Sequence, residues 1–281
     1  IIPIGIRNRR NIKDSKLSDS EIITISIVGE LLTIDSEKSF FSLLKREYKE
    51  LFPRLGDRTR FNRTKRNLHL VISKIRRYIS EFMQLYSNNI RVIDSMPIPV
   101  CEFGRAHFSK CFKGEASYGI CASKKETYFG FKFHALTTVD GFLTDYVITP
   151  ANIDDRNAVW DLCDKYRSIS IIGDKGYINK RLTPELKSER DIDLLFLKRA
   201  NSRDNYPKEV RQLLFKVRRR IETSFSQLTE QLNLNKVKSK SMLGFMTRTS
   251  IKVLAHNISF LINKLMRNDD SMAKIKRLVF G

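Results

Sequence analysis

Three carboxylates stand where a folded chain can bring acids together. Asp94 closes the apolar run of RVIDS, Asp174 follows the apolar run of IIGDKGY, and Glu222 stands directly behind three arginines in FKVRRRIETSF. Two aspartates and a glutamate held close would repel and raise one another's pKa unless a cation joined them. Hard divalent ions bind carboxylate oxygens, and two such ions about 4 Å apart activate a nucleophile and stabilise the leaving oxygen in phosphoryl transfer. For Glu222 alone a plainer role is available. Arg218, one helical turn earlier, can pair with it for a few tenths of a kcal/mol on an exposed helix.

The elements that must position these acids are legible from period and punctuation. NIRVIDSMPIPV reads as a short strand ending at Pro97 and Pro99, and YFGFKFHALTTV with DGFLTDYVIT reads as a hairpin around Asp140-Gly141. Asp154 or Asp155 caps a following helix. A buried strand precedes Asp174, where Gly173 and Gly176 suit a tight exit, and LTPELKSER and DIDLLFLKR supply a short helix and another strand. After Pro207 a long helix is expected to run towards Leu234, and another covers Met242 to Met266. Strands alternating with helices after a hairpin predict an α/β fold with a mixed sheet flanked by helices. In such a sheet chemistry gathers beyond the carboxyl ends of the strands, which suits Asp94 and Asp174. In the long helix Val210, Leu214, Val217, Ile221, Phe225, Leu228 and Leu232 form one apolar stripe. Glu222 falls at its edge with Arg218 and Phe215, Arg219 points away, and Arg220 lies on the opposite flank.

Residues 1–87 have a different, helical texture and predict a small all-α domain. Ser18 and Glu21 form a capping box, a second helix is expected to stop at Pro53, and a third segment spans 57–83. That segment sets Leu68, Ile72, Ile75 and Ile79 against a basic face that includes Arg58, Arg60, Arg63, Lys65 and Arg66. Such a face tracks DNA phosphates or stays a solvated surface.

The charge balance extends this expectation to the whole chain. Of 281 residues, 52 are Lys or Arg against 31 Asp or Glu, a formal net charge of +21 spread from Arg7 to Arg277, so a polyanion is the expected partner. No apolar run reaches the roughly 18 to 20 residues a membrane span needs, and no signal-peptide pattern opens the chain, so a soluble intracellular protein is expected. The chain begins with Ile1, and natural residues are expected to precede it. Cys101, Cys111, Cys121 and Cys163 form no CxxC pair; their spacings, even with His107, suit reduced structural thiols better than zinc.

In combination, Asp94 on a first strand, Asp174 in GDKGY and Glu222 in RRRIETSF resemble the acid triad of bacterial insertion-sequence transposases of the D-D-E type. The surrounding text, SMPIPVC, SKKETYFGFKFHALTTVDG and TPANIDDRNAV, most resembles the insertion sequence 982 family. The resemblance implies an RNase H-like catalytic domain over 88–267, after a helical DNA-binding domain over 1–87 and before a basic tail over 268–281. It implies an enzyme that cuts at terminal inverted repeats and joins 3′-hydroxyl ends to target DNA. Asp94, Asp174 and Glu222 would be both catalytic residues and ligands of two Mg²⁺, with Mn²⁺ able to substitute. Double-stranded DNA is the implied partner, a homodimer the implied synaptic form, and the bacterial cytoplasm, with nucleoid association, the implied location. Related transposases carry Tyr, two residues, Arg, three residues, Glu, six residues, Lys. Here Phe215, Arg218 and Glu222 fit with Phe for Tyr, and Thr229 takes the Lys position, leaving Lys236 or Lys238 as substitutes. The short gap before Pro207 leaves no room for a large insertion domain.

Candidate DNA contacts are Lys132, Arg218, Arg219, Arg105, Lys175, Arg63 and Arg66. Lys132 suits a phosphate contact or an ordinary edge lysine equally, and His134 suits a partner of a metal ligand or a satisfied core histidine. The basic, aromatic segment FGRAHFSKCFKGEASYGICASKKE, which holds Arg105, suits a loop that grips a DNA strand or a solvated loop. Two rival functions share these features: a nuclease of the same fold without strand transfer, and a catalytically inactive DNA-binding protein derived from a transposase.

Overall fold

The computed structural model describes residues 3–9, 12–85, 87–121, 125–177, 179, 181–197, 206–266 and 273–275, with only the backbone described at Lys175. The chain divides into two compact units, Ile1–Ile79 with Leu228–Gly281, and Ser80–Gln227.

The first unit is helical among its described residues. Helices α1 (Ile4–Arg7), α2 (Asp19–Leu31), α3 (Glu37–Glu47), α4 (Arg58–Asn67) and the start of α5 (His69–Phe82) are followed, much later in the chain, by α9 (Met242–Leu265). The Ser18/Glu21 capping box opens α2 as expected, and Asp57 caps α4 by accepting from Thr59 and Arg60 N–H. Helix α3 stops before Pro53. Its last buried residue is Leu44, and Leu51 beyond it is exposed, so nothing packs to extend it. The expected single segment over 57–83 is two helices. Leu68 leaves helical geometry with ψ near 4° while its fully buried side chain stays in the core.

α9 falls in the same compact unit as the N-terminal helices. It packs on α2 and α4, because its buried Lys252 pairs with Glu30 and its Arg248 reaches Glu30 at 3.2 Å and the Asp35 carbonyl at 2.9 Å. A buried ammonium needs such a partner. Apart from 273–275, the expected basic tail lies outside the described residues.

The second unit is built on a mixed, six-stranded sheet in the order β2-β3-β1-β5-β6, with β4 also paired to β3. The strands are β1 Ile90–Pro99, β2 Ser117–Cys121, β3 Glu126–Thr137, β4 Leu143–Pro150, β5 Ile169–Gly173 and β6 Ile192–Phe196. Helices α6 (Asp155–Cys163), α7 (Leu182–Arg190) and α8 (Lys208–Ser226) flank it. Alternation along β1 and β5 sorts two cores. Ile93 and Ile171 pack with Val159, Leu162 and Leu186 of α6 and α7, whereas Ile172 packs with Leu214 and Val217 of α8.

Strand β1 continues through Pro97 and Pro99 because it pairs antiparallel with β3 along that length. Its parallel pairing to β5 ends at Val92, so the proline nitrogens face no missing ladder bond on that side. The long helix after Pro207 ends sooner than its apolar period suggested. α8 closes at Ser226, Gln227–Gln231 form a π-helical turn, and Asn233 takes a left-handed φ of 51°.

Candidate active site

Register brings the two aspartates abreast. Val92 of β1 pairs with Ile172 of β5 in a parallel ladder, so two residues on, past the last paired rung, Asp94 and Asp174 occupy matching positions. Both fall on the face of the sheet that carries Ile172, the face packed by α8.

Helix α8 is fixed over that face at two points near Glu222. Phe225 packs edge-on against Phe133 of β3 at 6.1 Å between ring centroids, and Ser224 Oγ donates to the Gly141 carbonyl at 2.7 Å. Gly141 turns the β3–β4 hairpin with φ of 96°, as the Asp-Gly pair predicted. A Cβ there would stand 2.7 Å from Ser224 Oγ, so the hairpin abuts the helix only because this residue is glycine.

The carboxylates meet around one cation. Arg218 Nη2 lies 3.9 Å from Asp94 Oδ2, 3.6 Å from Asp174 Oδ2 and 3.3 Å from Glu222 Oε1. The i,i+4 salt bridge exists, and it is one spoke of three. These separations exceed the roughly 2.7 to 2.9 Å of a tight charge-assisted hydrogen bond, so the guanidinium is surrounded without being firmly bonded. Its Nε is buried and finds no hydrogen-bond acceptor among the described residues. Burial, helped by the neighbouring charges of Asp174 and Glu222 and opposed by the Ser95 N–H (2.8 Å from Oδ1) and Arg218, pushes the Asp94 carboxyl up to about 6. As the side chains stand, no three described His, Cys, Asp or Glu side chains converge closely enough to hold one ion, since Arg218 takes the central place. The donor set, carboxylate oxygens from three elements, is nonetheless the kind that hard divalent cations select.

A polar cluster lies on the other face of β1. Ser95, next to Asp94, donates from Oγ to Asp155 Oδ2 at 3.0 Å, and Lys132 Nζ donates to Asp155 Oδ1 at 2.7 Å and to the Ile153 carbonyl at 2.6 Å. His134, paired with Ser95 across the β1–β3 ladder, is fully buried; its Nε2 meets Thr149 Oγ1 at 2.9 Å and its Nδ1 lies 3.9 Å from Asp155. Burial lowers the His134 pKa to about 4, so the ring is a neutral core histidine bonded at Nε2, while its buried Nδ1 finds no hydrogen-bond partner among the described residues. Lys132 is therefore engaged inside the unit and does not project to a phosphate. Of the two candidate caps, Asp154 caps α6, accepting from the Arg156 N–H at 2.9 Å, while Asp155 anchors Lys132 and Ser95. The sequence carried one signal of that second role, a serine directly after Asp94 and a lysine two positions from His134 on the same strand face.

The other candidate contacts are dispersed. Arg219 is exposed on α8, Arg105 is exposed beside Glu102 at 3.6 Å, and Lys175 has a side chain outside the described residues. Arg63 and Arg66 belong to α4 in the helical unit. Cys101, Cys111, Cys121 and Cys163 are free thiols, and burial raises Cys163 to about 12. Among the described residues no helix is long and apolar enough to cross a membrane.

Asp94 in the middle of β1, Asp174 just past the end of β5 and Glu222 on α8 thus gather around Arg218 on one face of a mixed α/β sheet, whereas the sequence expected both aspartates at strand ends. The chain belongs to the transposase DDE domain family, whose model matches residues 85–242 and so spans all three acids. DNA is the partner that such a domain implies. Neither a curated protein nor a solved structure matches the chain.

Proposed function

We propose that this protein is a D-D-E transposase of the insertion sequence 982 type, which cleaves DNA at transposon ends and transfers the freed 3′-hydroxyl ends into target DNA. The observation that carries the reading is the convergence of Asp94, Asp174 and Glu222 on the single guanidinium of Arg218. In this reading the sheet of the second unit is an RNase H-like core, and the N-terminal helices form the DNA-binding domain.

Asp94, Asp174 and Glu222 hold the divalent ions, Mg²⁺ or Mn²⁺, and two ions are proposed. Such ions, when bound, supply activation of the attacking oxygen and charge stabilisation at the phosphorus and leaving oxygen. Asp94 is poised for this role because its burial disfavours an uncompensated anion. Arg218 and Arg219 would hold the negative phosphodiester near the acids, since a guanidinium bonds phosphate oxygens as readily as carboxylates. Asp155, through Ser95 and Lys132, keeps β1 and β3 in register beside Asp94. Synapsis of two ends makes a homodimer the proposed working form, in the bacterial cytoplasm at the nucleoid.

The test is Mg²⁺- or Mn²⁺-dependent cleavage and joining of labelled DNA carrying the ends that flank the gene, with Asp94→Ala and Glu222→Ala beside the native chain. Metal-dependent cut and joined products, lost in both variants, are expected. Cutting without joining selects the nuclease, and binding without cutting selects a DNA-binding derivative.

A further inference from the structure

The helical unit contains a groove of about 420 Å³ between α4 and the start of α9, lined by Arg58, Lys65 and Arg66 on one wall and Lys238, Lys240 and Arg248 on the other. Two acids share the lining, and both are already occupied. Glu37 takes Lys65 at 2.8 Å and Arg58 at 3.7 Å, while Asp35 takes Arg248 at 3.6 Å. Arg66, Lys238 and Lys240 have no carboxylate partner within 4.0 Å among the described residues. Three uncompensated cations therefore face one groove.

The groove is held in shape from behind. Arg248 bonds to Glu30 and to the Asp35 carbonyl, and Lys252, buried one turn further along α9, pairs with Glu30. Its floor is Gly244, where a Cβ would stand 2.6 Å from Ser239 Oγ, so the segment carrying the lysines lies flush on the helix. Ser241 caps α9 through the Gly244 N–H at 3.3 Å, so the positive end of a 24-residue helix dipole opens beside Lys238 and Lys240. α4 itself buries only Phe61 and turns its arginines outward. A small anion would need one tight nest; cations spread along two walls suit a repeating phosphate backbone.

We propose that this groove is a DNA-backbone site, in which Arg66 of α4 and Lys238 and Lys240 before α9 jointly bind the phosphates of duplex DNA. The site is composite. Its walls come from opposite ends of the chain, so the N-terminal helices hold DNA fully only with the segment that leads into α9. The proposal rests on the reading that the chain acts on DNA, and it is separable from the acid site.

The experiment is fluorescence anisotropy of a labelled duplex of arbitrary sequence against salt, with the full chain and the triple variant Arg66→Gln, Lys238→Gln, Lys240→Gln. Each lost phosphate contact should reduce the slope of log K against log salt by about 0.9, so the triple variant should lose about 2 to 3 from that slope and at least about tenfold in affinity at low salt. Asp94→Asn should keep the native slope while abolishing cleavage, which separates the groove from the catalytic reading. Arg66→Lys with Lys238→Arg and Lys240→Arg should restore binding. An unchanged slope in a triple variant that melts like the native chain overturns the proposal, as does a duplex RNA that outcompetes the DNA.

Discussion

Asp94 and Asp174 stand side by side at the point where β1 and β5 stop pairing, two residues past the Val92–Ile172 rung. Beyond that rung β1 continues along β3 while β5 ends at Gly173, so Asp94 sits within a strand and Asp174 just past one.

Asp94, half-buried on β1, gives the first prediction. In the unfolded chain Asp94 has an ordinary aspartate pKa of 3.8, and in the folded protein burial lifts it to about 6. The folded state therefore binds more protons between those values. Ionised Asp94 opposes folding above about pH 6, and the penalty fades as the pH falls through 6 towards 3.8. Asp94→Asn should raise stability at pH 7 in chelator by about 1 to 3 kcal/mol while removing metal-dependent cleavage. Denaturant melts with and without Mg²⁺ check both halves; an Asn variant less stable than the native chain in chelator contradicts the assigned burial cost.

Arg218 carries the second. It is the cation that stands among the three carboxylates, and in the proposed reading divalent ions would compete with it for them. Arg218→Gln should tighten Mn²⁺ binding, read by calorimetry, by about fivefold, in line with a partly exposed ion pair worth about 1 kcal/mol. Cleavage should nevertheless fall, by about 10²-fold, because a preorganised donor to the phosphate is lost. Weaker Mn²⁺ binding in the variant would mean that Arg218 supports the ions instead of competing with them.

The acids themselves were legible in the sequence because each follows a strong local signal. Apolar runs end at Asp94 and Asp174, and a helical stripe sets Glu222 on its edge. Glycine and proline punctuation likewise marked the hairpin at Gly141 and the start of α8 after Pro207. What sequence could not supply was long-range. Nothing local says that Lys132 will find Asp155 on α6, that α9 will pair its Lys252 with Glu30, or that α8 will give way to a π-helical turn at Gln227. Each depends on partners more than a helix away, whose charge or shape decides only after the elements dock.

The third prediction tests how α8 is pinned. Gly141→Ala demands both a left-handed φ and space that Ser224 Oγ fills. It should cost about 1 to 3 kcal/mol, and it should lower cleavage more than Ser224→Ala, because the displaced hairpin pushes on the helix that carries Glu222. Urea melts paired with turnover measurements separate the two effects. A Gly141→Ala protein with native turnover would show that Glu222 does not depend on this contact.

The cluster behind Asp94 gives the last. Lys132, Asp155 and Ser95 form one bonded set in which the ammonium is 18% and the carboxylate 29% exposed, so the pair is screened only in part. Removing one partner leaves the other half-buried and uncompensated, which for a fully buried pair costs about 3 to 5 kcal/mol and here, with solvent access, about 1 to 3. Lys132→Met should therefore lower stability by that amount and leave the salt slope of DNA binding at its native value, since the ammonium faces Asp155 and the Ile153 carbonyl. Lys132→Met combined with Asp155→Leu should recover much of the loss, because both members of the pair then become apolar together. If cleavage by the double variant stays low while its stability returns, the cluster acts on Asp94 by holding Ser95 and the β1–β3 register, not merely by stabilising the sheet. A salt slope that falls in Lys132→Met alone would instead return the lysine to the DNA.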